Sequence, residues 1–174
     1  MDDLIADFST IDHATYPVIF RAYVVKSIQF SLNRIKNSTY LLTDIDREQA
    51  LHNLSYALKW PEAWPFVQAT LITMAPKMEQ AGYRDEWIPY LEEGLNQAYL
   101  QEDDIAVAEL HLQLGILYQL RAKYTVAHTH LEMSTKQFRR LRDTINQARA
   151  LNRWGYIAHL QREFDQASYL AHRA

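Results

Sequence analysis

The stretch LGILYQLRAKYTVAHTHLEMS, residues 114–134, decides the fold of this chain. Its apolar residues recur at helical spacing on both sides of a short polar segment, which predicts two helices joined by a tight turn. Gly115 and Ala127 lie on opposite sides of that turn, and two such small residues let antiparallel helix axes approach closely. We expect Tyr124 to fill the turn and Tyr118 to fill the space toward the next hairpin.

The same pattern returns forty residues later. When the chain is compared with itself at that offset, small residues align with small residues and helix-opening acidic residues with each other. The matched pairs are Asp103 with Asp143, Ile105 with Ile145, Ala108 with Ala148, Gly115 with Gly155, Leu120 with Leu160, Tyr124 with Phe164 and Ala127 with Ala167. A weaker copy precedes them, around Leu91 and Gln97. Because one hairpin cannot bury both of its faces, the repeat predicts hairpins that stack into an all-α solenoid.

The composition favours the same fold class. The chain has four glycines and five prolines among 174 residues, too few for the many tight turns of a β-sandwich or barrel. Cysteine is absent, which excludes disulfides, thiolate catalysis and cysteine-ligated metals. No apolar run approaches the ~18 residues of a membrane span, and no signal peptide is visible, so we expect a cytoplasmic protein.

We expect three hairpins, over residues 62–100, 103–141 and 143–174. An N-terminal helical segment over residues 1–60 is expected to pack on this solenoid, with at most a short helix around Leu4–Phe8 before it. The last hairpin presents Trp154, Tyr169 and Leu170 with no following repeat to cover them, and this apolar face predicts association between copies of the chain.

Capping residues and prolines predict the individual helix boundaries. We expect Pro76 to kink or break the helix that contains it, and Gly82 to end that helix. In the N-terminal segment the buried stripe is predicted to be Phe20, Val24, Ile28 and Ile35. The predicted helix starts are Asp44 or Asp46, Pro61, Asp85 with Pro89 in the first turn, Asp103, Tyr124–Thr125, Asp143 and Phe164–Asp165.

Residues 62–174 resemble the tetratricopeptide repeat family. Leu114, Gly115 and Tyr118 match its first-helix positions, and Tyr124, Ala127, Leu131 and Ser134 match its second-helix positions. In the next copy the matches are Trp154, Gly155, Phe164, Ala167, Ala171 and Ala174, with Ala158 where the family has Tyr. The period of 40 differs from the family's 34, and the family's proline between repeats is missing. The longer repeat resembles those attached to bacterial signalling ATPases, which implies either a stand-alone adaptor or a piece of a larger protein.

Catalytic and cofactor sites are not predicted. Carboxylates adjacent in sequence, such as Glu92 and Glu93, do not converge on one point as a glycosidase pair must. His128 and His130 point about 200° apart on a helix, and His111 is at a core-type position, so packing is favoured over metal binding. We therefore expect a non-enzymatic protein without cofactor or metal.

The resemblance implies instead a binding groove lined by the first helix of each hairpin. The lining implied by the alignment is Glu109, Leu112, Ile116, Gln119, Arg149, Asn152, Arg153, Tyr156 and His159. Leu112 and Ile116 are equally compatible with packing on further repeats and with lining the groove. The family's carboxylate clamp is absent, since Leu112 and Ile116 occupy its polar positions. An apolar wall next to a basic one fits a peptide or partner helix with an apolar anchor and an acidic flank.

Two alternative functions stay open. Residues 111–174 carry ten basic and four acidic side chains, and residues 79–110 carry one basic and nine acidic. The basic run Lys136, Arg139, Arg140 and Arg142 fits a helical repeat that binds nucleic acid, although cations are also favoured at a helix end. A helical N-terminal segment ahead of such repeats also resembles the architecture of peptide-pheromone sensors.

Overall fold

The computed structural model describes residues 16–38 and 42–174, which form eight α-helices and no strand. The helices are α1 (Tyr16–Asn37), α2 (Asp44–Ala57), α3 (Trp64–Ala81), α4 (Arg84–Leu100), α5 (Asp104–Leu120), α6 (Tyr124–Leu141), α7 (Thr144–Leu160) and α8 (Phe164–Arg173), with a 3₁₀ turn at Pro61–Ala63. Neighbours in sequence pack on each other, and α3, α5 and α7 also touch in succession. The predicted all-α helical repeat is confirmed. The expected short helix around Leu4–Phe8 lies outside the described residues.

A register of twenty residues runs through the helix starts. The N-cap residues of α2 to α8 are Thr43, Ala63, Tyr83, Asp103, Lys123, Asp143 and Glu163. The forty-residue repeat therefore consists of two helix-and-turn units of equal length. Because the register reaches back to Thr43, α1 and α2 form a further hairpin, in which α1 packs on both α2 and α3.

The turns that follow α3 to α7 share one backbone conformation. The residue before each N-cap has a positive φ, namely Gly82 (84°), Glu102 (54°), Ala122 (55°), Arg142 (59°) and Arg162 (63°). Each N-cap N–H donates to the carbonyl five residues earlier, as Tyr83 does to Met78 at 3.0 Å and Lys123 to Tyr118 at 2.9 Å. This Schellman arrangement satisfies the last carbonyls of one helix, and its final residue already begins the next helix.

Glycine substitution tests these turns. We expect Ala122→Gly to stabilise the protein by about 0.5–1 kcal/mol, because glycine adopts the left-handed conformation without Cβ repulsion. Gly82→Ala should cost about 1 kcal/mol through conformation alone, since no atom lies within 4 Å of its added Cβ. Urea unfolding measures both.

Ala22→Gly is the matched control for this test. Ala22 is exposed inside α1, where the same change should cost about 0.5–1 kcal/mol of helix propensity. An Ala122→Gly protein that lost as much stability as Ala22→Gly would contradict the turn geometry.

The core is centred on α5. Leu110, Leu112 and Leu114 are all fully buried although successive residues of a helix point in different directions. The reason is that α5 packs against α3, α4, α6 and α7 and so has no wholly exposed face. A helix buried on most of its faces needs apolar residues on most of them, which the leucines supply, and it also buries the polar side chains of His111, Gln113 and Gln119.

Gly115 and Gly155 are not equivalent, although the repeat aligns them. An ideal Cβ on Gly115 lies 2.6 Å from Cγ of Leu131 and 3.4 Å from the Ala127 carbonyl oxygen. The predicted close approach of α5 and α6 at Gly115 and Ala127 is therefore confirmed. At Gly155 the nearest atom is Cβ of Leu170 at 3.5 Å, which is an ordinary contact.

The two alanine substitutions should have opposite signs. We expect Gly115→Ala to destabilise by roughly 1–3 kcal/mol, because the added Cβ overpacks the α5–α6 contact. Gly155→Ala should stabilise by about 0.5–1 kcal/mol, because alanine is the better helix former and space is available. Thermal unfolding of both variants checks this, and equal losses would mean that the last hairpin packs as tightly as the one before it.

Asp103 and Asp143 cap α5 and α7 as predicted. Their carboxylates accept from the N–H groups of Ala106 and Asn146, each at 3.0 Å. The other oxygen of Asp103 accepts from the indole N–H of Trp64 at 3.0 Å. This contact links the start of α5 to the start of α3, one full repeat earlier.

Two predicted acidic caps are wrong. The N-cap of α2 is Thr43, whose hydroxyl accepts from the Asp46 N–H at 3.1 Å, and Asp44 and Asp46 lie in the first turn. The N-cap of α4 is Tyr83, and Asp85 instead pairs with Arg121 at 2.9 Å. Acidic residues are favoured throughout a first helical turn, so their presence marks a start without identifying the cap.

The prolines also behave differently from expectation. Pro76 does not break its helix, because α3 continues to Ala81 and ends at Gly82 as predicted. Pro76 is exposed, so the carbonyl of Ile72 that loses its usual N–H donor lies on an open face. Pro89 lies in the second turn of α4, not the first.

Burial at the two ends of the stack departs from the predicted pattern. Val24, Ile28 and Ile35 are buried, but Phe20 is 48% exposed. In the last hairpin Leu170, which we expected on the uncovered apolar face, packs between Leu151 and Ala158.

Candidate functional site

A cleft of about 480 Å³ lies across α3, α5 and α7. It is lined by Ile72, Pro76, Glu79, Ile105, Glu109, Gln113, Ile116, Phe138, Asn146, Arg149 and Arg153. A smaller pocket of about 220 Å³ shares Ile116, Arg149 and Arg153 with it and adds Leu112 and Asn152. We call the larger one the α3–α5–α7 cleft.

The cleft has an apolar part formed by Ile105, Ile116 and Phe138. Ile116 and Phe138 are almost fully buried and form its floor, whereas Ile105 stands at its edge and is 66% exposed. Ile145 occupies the equivalent position on α7, is 76% exposed, and does not line the cleft. Ile105 therefore offers exposed apolar surface inside the cleft, and Ile145 offers the same surface outside it.

A chain of polar contacts crosses the middle of the cleft. The Glu109 carboxylate accepts from the Gln113 amide at 2.7 Å and pairs with the Arg149 guanidinium at 3.5 Å. Arg149 also donates to the side-chain oxygen of Asn146 at 2.6 Å. The charges of Glu109 and Arg149 thus offset each other across the α5–α7 junction. Arg153, one helical turn further along α7, is exposed and forms no ion pair with any described residue.

The structure brings together six of the nine residues implied by the resemblance. Glu109, Ile116, Arg149 and Arg153 line the cleft, and Leu112 and Asn152 line the adjoining pocket. For Leu112 and Ile116 packing and lining are both realised, since each is buried yet reaches a pocket.

Three predicted residues do not reach either pocket. Gln119 is buried, and its side-chain oxygen lacks a partner. Tyr156 is 51% exposed outside the pockets, and His159 packs edge-on against the ring of Phe164. Gln119, Tyr156 and His159 therefore lie outside both pockets, and their part in a binding groove stays a prediction.

The α3 wall was missed by sequence reasoning, although a signal for it exists. Subtracting one repeat of forty from Leu112, Ile116 and Gln119 gives the wall residues Ile72, Pro76 and Glu79. The aligned pairs of the forty-residue repeat begin at Asp103 and therefore do not include α3. Ile105, Gln113, Phe138 and Asn146 were also missed.

A second polar cluster lies between α4, α5 and α6. The Tyr99 hydroxyl is 2.8 Å from Nε2 of His111, whose Nδ1 is 2.9 Å from Nδ1 of His130. Tyr118 stacks on His130 and donates to the Glu92 carboxylate at 2.5 Å. Tyr118 thus reaches back to α4, not toward the next hairpin as expected. No group of three metal-ligating side chains occurs among residues 16–38 and 42–174.

The environment of this cluster keeps both imidazoles neutral. Burial lowers the pKa of His111 to about 4, with a smaller contribution from His130. Burial also lowers the pKa of His130, against the opposing effect of the Glu92 carboxylate. Burial and the bond to Glu92 raise the pKa of Tyr118 to about 12. Because the two Nδ1 atoms face each other, one of the neutral rings donates and the other accepts.

The His111 pKa predicts acid sensitivity. The unfolded chain takes up a proton near pH 6.5 and the folded protein only near pH 4, so stability falls as pH drops between these values. We expect a loss of about 2 kcal/mol between pH 7 and pH 5 in urea unfolding. His111→Leu should flatten this dependence, whereas His159→Leu, which alters an exposed residue, should not. Parallel pH profiles for wild type and His111→Leu would contradict the assignment.

No family model, curated protein or solved structure matches this chain. Within the described part of the chain, the helices are too short or too polar to cross a membrane.

Proposed function

We propose that this protein is a non-enzymatic interaction module that binds a peptide or partner-helix segment in the α3–α5–α7 cleft. The observation that carries the proposal is the cleft itself, an open volume across three successive repeats with apolar and charged groups on its walls. The resemblance of residues 114–134 to tetratricopeptide repeats supports the same class. It also supports the cytoplasmic, bacterial signalling setting that we propose for the protein.

The chemistry of the lining supports recognition over catalysis. The groups on the cleft walls are aliphatic or aromatic side chains, amides, carboxylates and guanidinium groups. Serine, threonine, cysteine, lysine and histidine are missing from that lining, so it offers no hydroxyl, thiol or amine nucleophile for a general base to activate. The cleft lining combines an exposed isoleucine, Ile105, with an arginine without an ion-pair partner, Arg153, which fits a ligand with an apolar anchor and an acidic group.

Binding of nucleic acid is the competing proposal. Arg139, Arg140 and Arg142 are exposed at the end of α6, and among the described residues the Arg140 side chain donates a hydrogen bond only to Gln137, at 3.1 Å. This patch lies at the helix end, and its three arginines are absent from the cleft lining. Variants in the two regions therefore separate the two proposals.

Selection from a displayed library of random twelve-residue peptides tests the proposed function. We expect recovered peptides to combine an acidic residue with an aliphatic or aromatic one. Ile105→Ser and Arg153→Glu should each weaken binding of these peptides roughly ten-fold, through lost apolar contact and reversed charge respectively.

Each variant has a matched control of the same chemistry. Ile145→Ser removes the repeat-equivalent isoleucine outside the cleft, and Arg139→Glu reverses an arginine outside it. Both should leave peptide affinity unchanged in fluorescence anisotropy. A labelled single-stranded oligonucleotide is the second probe in the same assay. If the protein binds it with an affinity that falls steeply with salt concentration, and only Arg139→Glu weakens that binding, the nucleic-acid proposal replaces this one.

A further inference from the structure

The α3–α5–α7 cleft is electrically polarised from one wall to the other. Glu79 stands on the α3 wall and Arg153 on the α7 wall, and both line the cleft. The pair between Glu109 and Arg149 lies between them and is internally compensated. The charges left for a ligand are therefore negative at α3 and positive at α7.

The α3 wall is rich in acceptors. Glu79 forms no ion pair with another described residue. Pro76 has no N–H to donate to the carbonyl of Ile72, and both residues line the cleft beside Glu79. A carboxylate next to a carbonyl that lacks its helical donor suits a cation with several N–H groups, such as lysine, arginine or a free amino terminus.

Helix packing sets the separation of the two walls. Adjacent packed helices have axes about 8–10 Å apart, so α3 and α7, with α5 between them, are roughly 16–20 Å apart. An extended peptide advances about 3.4 Å per residue and covers this span in five or six residues. An α-helix rises only about 1.5 Å per residue and would need roughly eleven to thirteen residues to cover the same span. An extended segment joins the two walls with the fewest ordered residues and therefore with the smallest loss of conformational entropy.

We infer that the cleft selects an extended peptide segment carrying a cationic group and an anionic group five or six residues apart, with apolar side chains between them. The cationic group lies against Glu79 and the anionic group against Arg153, while the intervening side chains contact Ile116 on α5, between the two walls. This inference rests on the proposed function and specifies the class of ligand for the same cleft.

A defined peptide series tests the spacing. The probes are acetylated and amidated peptides with one lysine and one aspartate, separated by three, five or nine positions, and alternating leucine and threonine between them. All three spacings are odd, so the two charged side chains keep the same relative orientation in an extended peptide and only their separation changes. Fluorescence anisotropy with the full chain should give the tightest binding at a separation of five. The expected advantage over either other spacing is roughly five-fold, as for partly exposed charge pairs.

Charge exchange tests the two walls separately. Glu79→Lys should lose affinity for the five-spaced peptide and regain it when the peptide lysine is replaced by glutamate. Arg153→Glu should be restored in the same way when the peptide aspartate is replaced by lysine. Restored affinity excludes unfolding as the cause of the initial loss.

Failure of the inference is distinguishable from failure of the proposed function. Binding that depends on Ile105 but not on spacing or charge exchange overturns the inference and leaves the proposed function standing. Absence of binding by every peptide, together with library peptides indifferent to Ile105→Ser, overturns both.

Discussion

Five helices end at a residue in the left-handed backbone conformation, and the rest of the structure depends on this constraint. At Gly82, Glu102, Ala122, Arg142 and Arg162 a positive φ turns the chain back at once, and the following residue already caps the next helix. The five helices that end at these turns, α3 to α7, are each 17 or 18 residues long. Only one of the five is glycine, so four turns hold their conformation against the preference of their own residue. The helix packing on either side must supply that difference.

This regularity aligns chemically related positions on successive first helices. Ile72 and Leu112, like Pro76 and Ile116, are separated by one repeat and lie on the same side of the stack, where they line the two pockets. A cleft across α3, α5 and α7 is a direct consequence, because the turns bring these three helices side by side. The polarity of the cleft comes from repeat positions at which the side-chain type changes. Glu79 corresponds to Gln119 in the next repeat, and Arg153 corresponds to Gln113 in the previous one. The charges available for recognition are therefore specific to single repeats.

The fold was largely predictable from the sequence, and the site only partly. The forty-residue offset predicted the hairpins because Gly115 and Ala127 mark the close approach of α5 and α6, and Gly155 and Ala167 repeat this pair although Gly155 has room for a Cβ. The twenty-residue register escaped detection because alternate helices bury different faces, and because glutamate, alanine and arginine at positive φ carry no residue signature. Caps at Thr43 and Tyr83 were misassigned because neighbouring acidic residues are equally compatible with a first turn.

The histidine cluster shows a different limit of sequence reasoning. His111 and His130 are nineteen positions apart on two helices, and only the α5–α6 packing brings their Nδ1 atoms to 2.9 Å. Packing was expected for each histidine individually, but their mutual contact depends on helix rotation, which spacing alone does not define.

Backbone NMR of the folded protein tests the account most directly. Chemical shifts should place Glu102, Ala122, Arg142 and Arg162 in the left-handed region, as at Gly82. The amide protons of Tyr83, Asp103, Lys123, Asp143 and Glu163 should exchange slowly, because each donates to the carbonyl five residues earlier. Extended backbone or unprotected amides at the turns on either side of α5 would contradict the account, since the register that builds the α3–α5–α7 cleft depends on those turns.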